Sequence, residues 1–223
     1  MLLDRRAVLL GCATSLALGR SMRAGALEMC PADGLPPGTC SAFIDPARFQ
    51  SQAAARMQEE SQWCWAACIS MVCRFHGFDL SQESIVRQMY GSVVNMPADD
   101  RVLTAAINRR WTTTDGRNID ITASTFSPAL GTSDVMNSTV VDDLRNNRPL
   151  INGSRNHATV TARVDYTRTN MGNPEVFKVH VIDPWPGATN NQQRARFLEQ
   201  DEMTPVQLGG QLRYVASVRV VAV

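Results

Sequence analysis

The chain has 223 residues, 44% of them hydrophobic and 19% charged, and a formal net charge of +1. That balance gives enough apolar material for one sizeable domain or two small lobes, and it excludes wholesale disorder, a collagen-like repeat and a multi-span membrane protein. With 22 Lys plus Arg against 21 Asp plus Glu, no overall field gathers polyanions, so nucleic acid is not expected as a partner.

Residues 1–26 set Arg5-Arg6 before an apolar run from Ala7 to Gly19 and close with Ala24-Gly25-Ala26. A charged head, a hydrophobic middle and a small-residue cleavage site read as an export signal cut near Ala26, with the paired arginines favouring the twin-arginine route. The run is about 13 residues, short of the roughly 20 that span a bilayer, so no stable membrane insertion is expected once it is removed. The expected location is periplasmic or secreted. Losing four arginines and Asp4 turns the net charge from +1 to −2, and losing Cys12 leaves Cys30, Cys40, Cys64, Cys68 and Cys73. An odd number of cysteines in an oxidising compartment leaves at least one thiol unpaired.

Residues 27–57 hold Pro31, Gly34, Pro36-Pro37-Gly38 and Pro46, a loop-rich lead-in in which Cys30 and Cys40 are spaced to close a short disulfide loop. The remaining residues, 58–223, form the expected main domain. Trp63 to about Phe75 is almost wholly apolar and is followed by Gly77, which predicts a buried helix with a glycine stop. Ser81–Tyr90 predicts a second helix, capped by Ser81 and stopped by Gly91, and Ala98–Trp111 a third. Beyond Arg117 the pattern changes to alternating Thr, Val and Ile. Strands are expected at Ile119–Thr125, near Leu150, and at Ala158–Tyr166, Val176–Ile182 and Tyr214–Val221, with a short helix over Ser138–Asn146. Helices first and strands after them predict an α+β fold with two lobes, not an alternating parallel sheet.

Cys64 lies at the predicted start of a buried helix, where unpaired N–H groups and the helix dipole favour an anion and so lower a thiol pKa. Six residues earlier, Gln58 is close enough for its amide to donate, together with the Cys64 N–H, toward an oxygen bound beside the sulfur. A cysteine nucleophile needs a histidine, and the chain offers His76, His157 and His180. His76 is twelve residues farther along the same helix, about 18 Å away at 1.5 Å per residue, and out of reach. His157 and His180 fall on two strands of a hairpin turning at Thr169–Asn173. Pairing about that turn sets His157 opposite Trp185 or Asp183, and either register puts His157 and Asp183 on one face while His180 points through the other. His157 is therefore the expected base and Asp183 the residue that orients it.

Gln58, then Trp63-Cys64-Trp65-Ala66-Ala67-Cys68 opening a helix, resembles the active-site segment of papain-like cysteine peptidases. The segment is most similar to the short bacterial branch that includes a plant-pathogen avirulence protease. His157-Ala158-Thr159-Val160 and Val181-Ile182-Asp183-Pro184-Trp185-Pro186-Gly187 are similar to the strands carrying the family histidine and its orienting Asp or Asn. The resemblance implies a two-lobed papain-like fold with a cleft between the lobes and a protein or peptide substrate. It implies no cofactor and acyl transfer through a thioester on Cys64, with Gln58 at the oxyanion and Trp185 shielding the His157–Asp183 bond. With Cys64 reserved for chemistry, the other four cysteines are left for bridges: Cys30 with Cys40 is one pair, and Cys68 with Cys73 a poorer one, since an i, i+5 pair diverges by about 140° on a regular helix, the alternative being a bridge from one of them to the N-terminal segment.

Three other readings compete. Cys64, Cys68, Cys73 and His76 carry zinc-ligand chemistry within thirteen residues, but 100° per residue spreads them around the helix. An amidase or transglutaminase-type acyl transferase would use the same three residues. A non-catalytic binding domain is the last.

Overall fold

The computed structural model describes residues 27–30, 36–52, 54–185 and 195–223. The proposed export signal therefore lies outside the described residues, as does the Pro186-Gly187 end of the aspartate motif. In chain order the elements are strands β1 (Glu28–Met29) and β2 (Cys40–Phe43), then helices α1 (Pro46–Ser51), α2 (Cys64–Phe75), α3 (Gln82–Tyr90) and α4 (Asp100–Ala106). Strands β3 (Arg109–Thr112), β4 (Asn118–Ser127) and β5 (Thr132–Ser133) precede α5 (Asn137–Arg145). Strands β6 (Leu150–Ser154), β7 (His157–Arg168), β8 (Pro174–Ile182) and β9 (Ala195–Phe197), helix α6 (Gln200–Met203) and β10 (Tyr214–Ala222) complete the order. Among the described residues no helix is long and apolar enough to cross a membrane.

α2 is the central helix. Ten of its twelve residues are buried, so it is apolar on every side and must be enclosed by other elements. Its one internal hydroxyl, on Ser70, donates to Leu80 O at 2.7 Å, which removes the cost of burying it. Gly77, at φ +86°, ends the helix in the left-handed conformation that a side chain would oppose. α3 is capped as its sequence predicts, with Ser84 N donating to the Ser81 hydroxyl at 3.1 Å.

Two expectations are corrected. The third helix stops at Ala106, not Trp111, because Arg109–Thr112 pairs with β4 and the Trp111 indole turns back to Ala106 O at 2.9 Å. The lead-in is more than loop: β2 pairs with β7, β1 pairs with β2, and Asp45-Pro46 starts a helix as cap and first residue.

The strands form one ten-stranded antiparallel sheet in the order β1-β2-β7-β6-β10-β4-β3, with β8 on the other edge of β7, β9 on β8, and β5 on β4. β7 is twelve residues long and takes β6 and β2 end to end along one edge. One buried cluster joins α2, α3 and α4 to the sheet through Trp65, Ile69, Leu103, Trp111, Ile121 and Val218. A second gathers Phe75, Leu144, Leu150, Val164 and Tyr166 around α5. Cys30 and Cys40 are joined in a disulfide that ties β1 to β2.

Candidate active site

The site forms where the start of α2 meets the first residue of β7 and the segment leaving β8. Cys64 is the first residue of α2, half-buried, and no side chain caps that helix end. Its N-terminal N–H groups are thus left to a ligand or solvent. The approach is held rigidly. Trp63 and Trp65 send their indole N–H groups to Val94 O and Met96 O at 2.9 and 3.1 Å. Asn95 accepts from Gln62 N at 2.9 Å and donates to the Ser61 hydroxyl at 2.9 Å.

The β7–β8 hairpin has the expected register, Val160 opposite Ile182 and Tyr166 opposite Val176, with irregularities at Thr161–Arg163 and Asp165–Tyr166. Carried toward the open end, it brings His157 and Asp183 together: His157 Nε2 lies 2.6 Å from Asp183 Oδ1. The other ring nitrogen, Nδ1, is left free of Asp183, and Cys64 is near enough to act on the charge of the ring. Burial disfavours the charged imidazole. The hydrogen bonds to Asp183 and Cys64 and the charges of both outweigh that penalty and raise His157 from 6.5 to about 9. Asp183 balances in the opposite sense, since burial raises it while bonds from His157, Arg196 and Trp185 N hold it down at about 2. Near neutral pH the pair is imidazolium and carboxylate.

Trp185 lies edge-on to His157, with ring centroids 6.3 Å apart and planes at 82°, and it is 51% exposed. Gln58 is buried, and its backbone N donates to Pro184 O at 2.8 Å, which ties it to the Asp183 segment. Its amide is turned inward: Nε2 donates to Glu60 O and Ser61 O, both at 2.9 Å, and the buried Oε1 has no partner. The sequence reading expects this amide to face a bound oxygen, whereas here both of its hydrogens brace the loop that leads into α2.

The other histidines stand apart. His180 pairs across β7 with Arg163 and stacks on Phe197 at 4.8 Å, while His76 caps the far end of α2. Cys68 and Cys73 are fully buried free thiols, which corrects the expectation that one of them bridges to the N-terminal segment. Both face the apolar interior under α2. Burial drives Cys68 well above the ordinary thiol range, with the charges of Cys64 and Asp183 adding to it, and burial alone puts Cys73 at about 12. Cys64, Cys68, Cys73 and His76 do not converge. The one group of potential ligands within 4.8 Å of one another among the described residues is Glu28, Cys30 and Cys40, two of which are the disulfide.

Sequence reasoning missed the residues that hold the site together. Gln82, at the start of α3 and 1% exposed, donates to Met57 O at 2.7 Å and accepts from Glu59 N at 3.1 Å, fixing the Gln58 loop from both sides. Arg196 donates through Nε to Asp183 Oδ2 at 2.9 Å. A glutamine directly after the Ser81 cap is a signal that sequence offers, whereas Arg196 is one of the chain's 21 arginines and no motif marks it.

A profile of the family described as papain-like cysteine protease AvrRpt2 matches residues 46–202. No curated protein matches the chain. Among solved structures, a double glycine motif protease from an AMS/PCAT transporter, crystallised with the leader peptide, aligns at 15% identity and a TM-score of 0.38. That alignment covers 73% of this chain and 87% of the other. UfSP from C. elegans aligns at 10% identity and a TM-score of 0.47, over 86% of this chain and 36% of that one.

Proposed function

The chain belongs to the papain-like cysteine protease AvrRpt2 family and is a papain-like cysteine peptidase; from that premise we propose that Cys64, His157 and Asp183 are its catalytic residues. Cys64 as thiolate attacks the carbonyl carbon of a peptide bond. His157, as imidazolium, gives its proton to the departing amine, leaving a thioester on Cys64. The neutral imidazole then takes a proton from water as the water oxygen attacks the thioester; the carbon–sulfur bond breaks, and the acid product leaves with the thiolate and imidazolium restored. Asp183 holds the ring in the orientation that presents Nδ1 to sulfur and stabilises its charge.

The observation that carries this reading is the bond of His157 Nε2 to the Asp183 carboxylate at 2.6 Å, with Cys64, the first residue of α2, near enough to favour the imidazolium. For the oxyanion, the uncapped Cys64 N–H at the start of α2 is available as it stands. Gln58 joins it by exchanging one of its bonds to Glu60 O or Ser61 O for the substrate oxygen. The chain is proposed to act outside the cytoplasm after loss of residues 1–26, a location that suits the Cys30–Cys40 disulfide. Residues 58–223 carry the peptidase chemistry, and residues 27–57 form an N-terminal segment joined to it through β2.

The test is alkylation with iodoacetamide under mild reduction, located by mass spectrometry, of wild type and His157→Ala. Fast single labelling at Cys64 that slows strongly in His157→Ala is expected. An inert or equally reactive Cys64 in the two proteins overturns the assignment.

A further inference from the structure

Only one of the bonds that hold Asp183 comes from histidine. Its Oδ1 accepts from His157 Nε2 at 2.6 Å and from Trp185 N at 2.9 Å, and its Oδ2 accepts from Arg196 Nε at 2.9 Å. Arg196 is gripped from behind by Glu202, with Nη1 to Oε2 at 2.7 Å and Nη2 to Oε1 at 2.8 Å, a fork that fixes the guanidinium plane. Glu202 is fixed in turn by Glu199 N at 2.9 Å, at the start of α6. The carboxylates at both ends are largely covered, each 14% exposed. Arg196 and Glu202 have no part in the bond-making steps described above.

We propose that Arg196 is a positioning residue for the peptidase reaction: braced by Glu202, its Nε holds Asp183 Oδ2 and so fixes the orientation in which Asp183 Oδ1 meets His157 Nε2. The proposal rests on the catalytic assignment of Cys64, His157 and Asp183. Asp183 follows the last residue of β8, where no ladder bond restrains it, and the terminal torsion of an aspartate is broad and nearly two-fold. Anchoring the far oxygen removes that freedom. Charge sign also alternates from β7 to α6: His157 imidazolium, Asp183, Arg196, Glu202. Without the arginine, Asp183 Oδ2 loses its anchor, and the carboxylate is free to turn about its terminal torsion, out of the orientation that meets His157 Nε2. The groups that face His157 are Cys64 from α2 and Asp183 and Trp185 from the segment after β8; Arg196 of β9 and Glu202 of α6 act on it through Asp183.

Iodoacetate, an anion drawn to the imidazolium, tests this. Its rate of reaction at Cys64 falls on the alkaline side as His157 loses its proton, so the pH of that fall reports the His157–Asp183 bond. In wild type the fall is expected near pH 9. In Arg196→Met it is expected about one to two pH units lower, so the rate at pH 8 drops about two- to tenfold while the rate at pH 6 is nearly unchanged. Arg196→Lys, which keeps the charge without the fork, falls between, and Glu202→Gln shifts the profile the same way by less. A structural staple would lower thermal stability and leave the alkaline fall in place. An unshifted Arg196→Met profile therefore overturns the proposal, as does an upward shift, which charge alone would give. Should Arg196→Met not fold, unshifted Arg196→Lys and Glu202→Gln profiles overturn it equally. If wild type itself shows no alkaline fall at Cys64, the catalytic assignment fails first and the role of Arg196 falls with it; a normal wild-type profile with unshifted variants fails the arginine alone.

Discussion

Replacing Asp183 by Asn keeps a side chain that can still hydrogen-bond His157 but removes the carboxylate charge. His157 stands at about 9 against an ordinary 6.5, a difference worth about 3 kcal/mol in favour of the imidazolium, held against the penalty of burial. Asp183 supplies the first of the bonds that oppose that penalty, so its charge accounts for much of the rise. With His157 returned toward 6.5, the imidazolium fraction at pH 8 falls from about 90% to about 3%, roughly thirtyfold. At pH 5.5 the ring is more than about 90% charged in either protein. Iodoacetate labelling of Cys64 in Asp183→Asn should therefore be slowed by up to about thirtyfold at pH 8 and less than about twofold at pH 5.5. An equal loss at both pH values would refute the electrostatic account, since it would mean that the substitution misplaces the ring without changing its charge.

Other consequences can be measured on the same protein. Gln58→Ala should cut hydrolysis of a fluorogenic peptide mixture about 10²- to 10³-fold while leaving Cys64 alkylation intact, because alkylation forms no oxyanion; parallel losses would assign Gln58 to loop bracing alone. Trp185→Ala removes an edge contact to His157 worth about 0.5–1.5 kcal/mol, and the alkaline limb of activity should fall by up to about one pH unit. Cys30→Ser opens a loop of sequence separation 10 and should cost about 3 kcal/mol in urea denaturation without slowing Cys64 labelling, unless β1–β2 also orders the site. Burial, with the charges of Arg48 and Arg148 adding to it, lowers His76 to about 4. The unfolded chain thus takes up a proton first, and stability is lost as pH drops from about 6.5 toward 4, by about 2 kcal/mol at pH 5. That loss should be absent in His76→Gln, and an identical pH dependence in the two proteins would exclude His76 as its source.

The hairpin was legible because its information is local. Side chains alternate with period two and the turn at Thr169–Asn173 fixes the register, so parity alone separates His157 from His180. The Cys64 helix was equally legible, being apolar throughout with Gly77 behind it. What could not be read depended on partners distant in sequence. β2 is four residues, Cys-Ser-Ala-Phe, with no alternation of its own, and it becomes a strand because the far half of β7 offers a free edge. Trp111 fits either a helical or an extended pattern, and pairing with β4 decides for strand. Pro46 was misread for a different reason: proline marks a loop in general but is the best first residue of a helix when Asp45 precedes it as cap. Arg196 reaches Asp183 across thirteen residues of sequence that carry no periodic signal, so only coordinates bring the two together.

The three free thiols on α2 show why cysteine parity misleads. Counting in an oxidising compartment treats each surplus thiol as a partner awaiting a bridge, and it leads one to pair Cys68 or Cys73 with the N-terminal segment. Disulfide formation, however, proceeds through a thiolate that must meet an oxidant or another sulfur. Cys68 lies one turn beyond Cys64, yet full burial and the nearby charges of Cys64 and Asp183 keep it protonated, and Cys73 is silenced by burial alone. The fold thus protects two cysteines by the means that enclose the helix, while the first residue of that helix stays half-exposed beside a cationic ring. Selectivity among chemically identical side chains on one helix follows from their position along it. The helix start is half-buried, with unpaired N–H groups and His157 beside it, whereas Cys68 and Cys73 lie in the buried apolar cluster of the following turns.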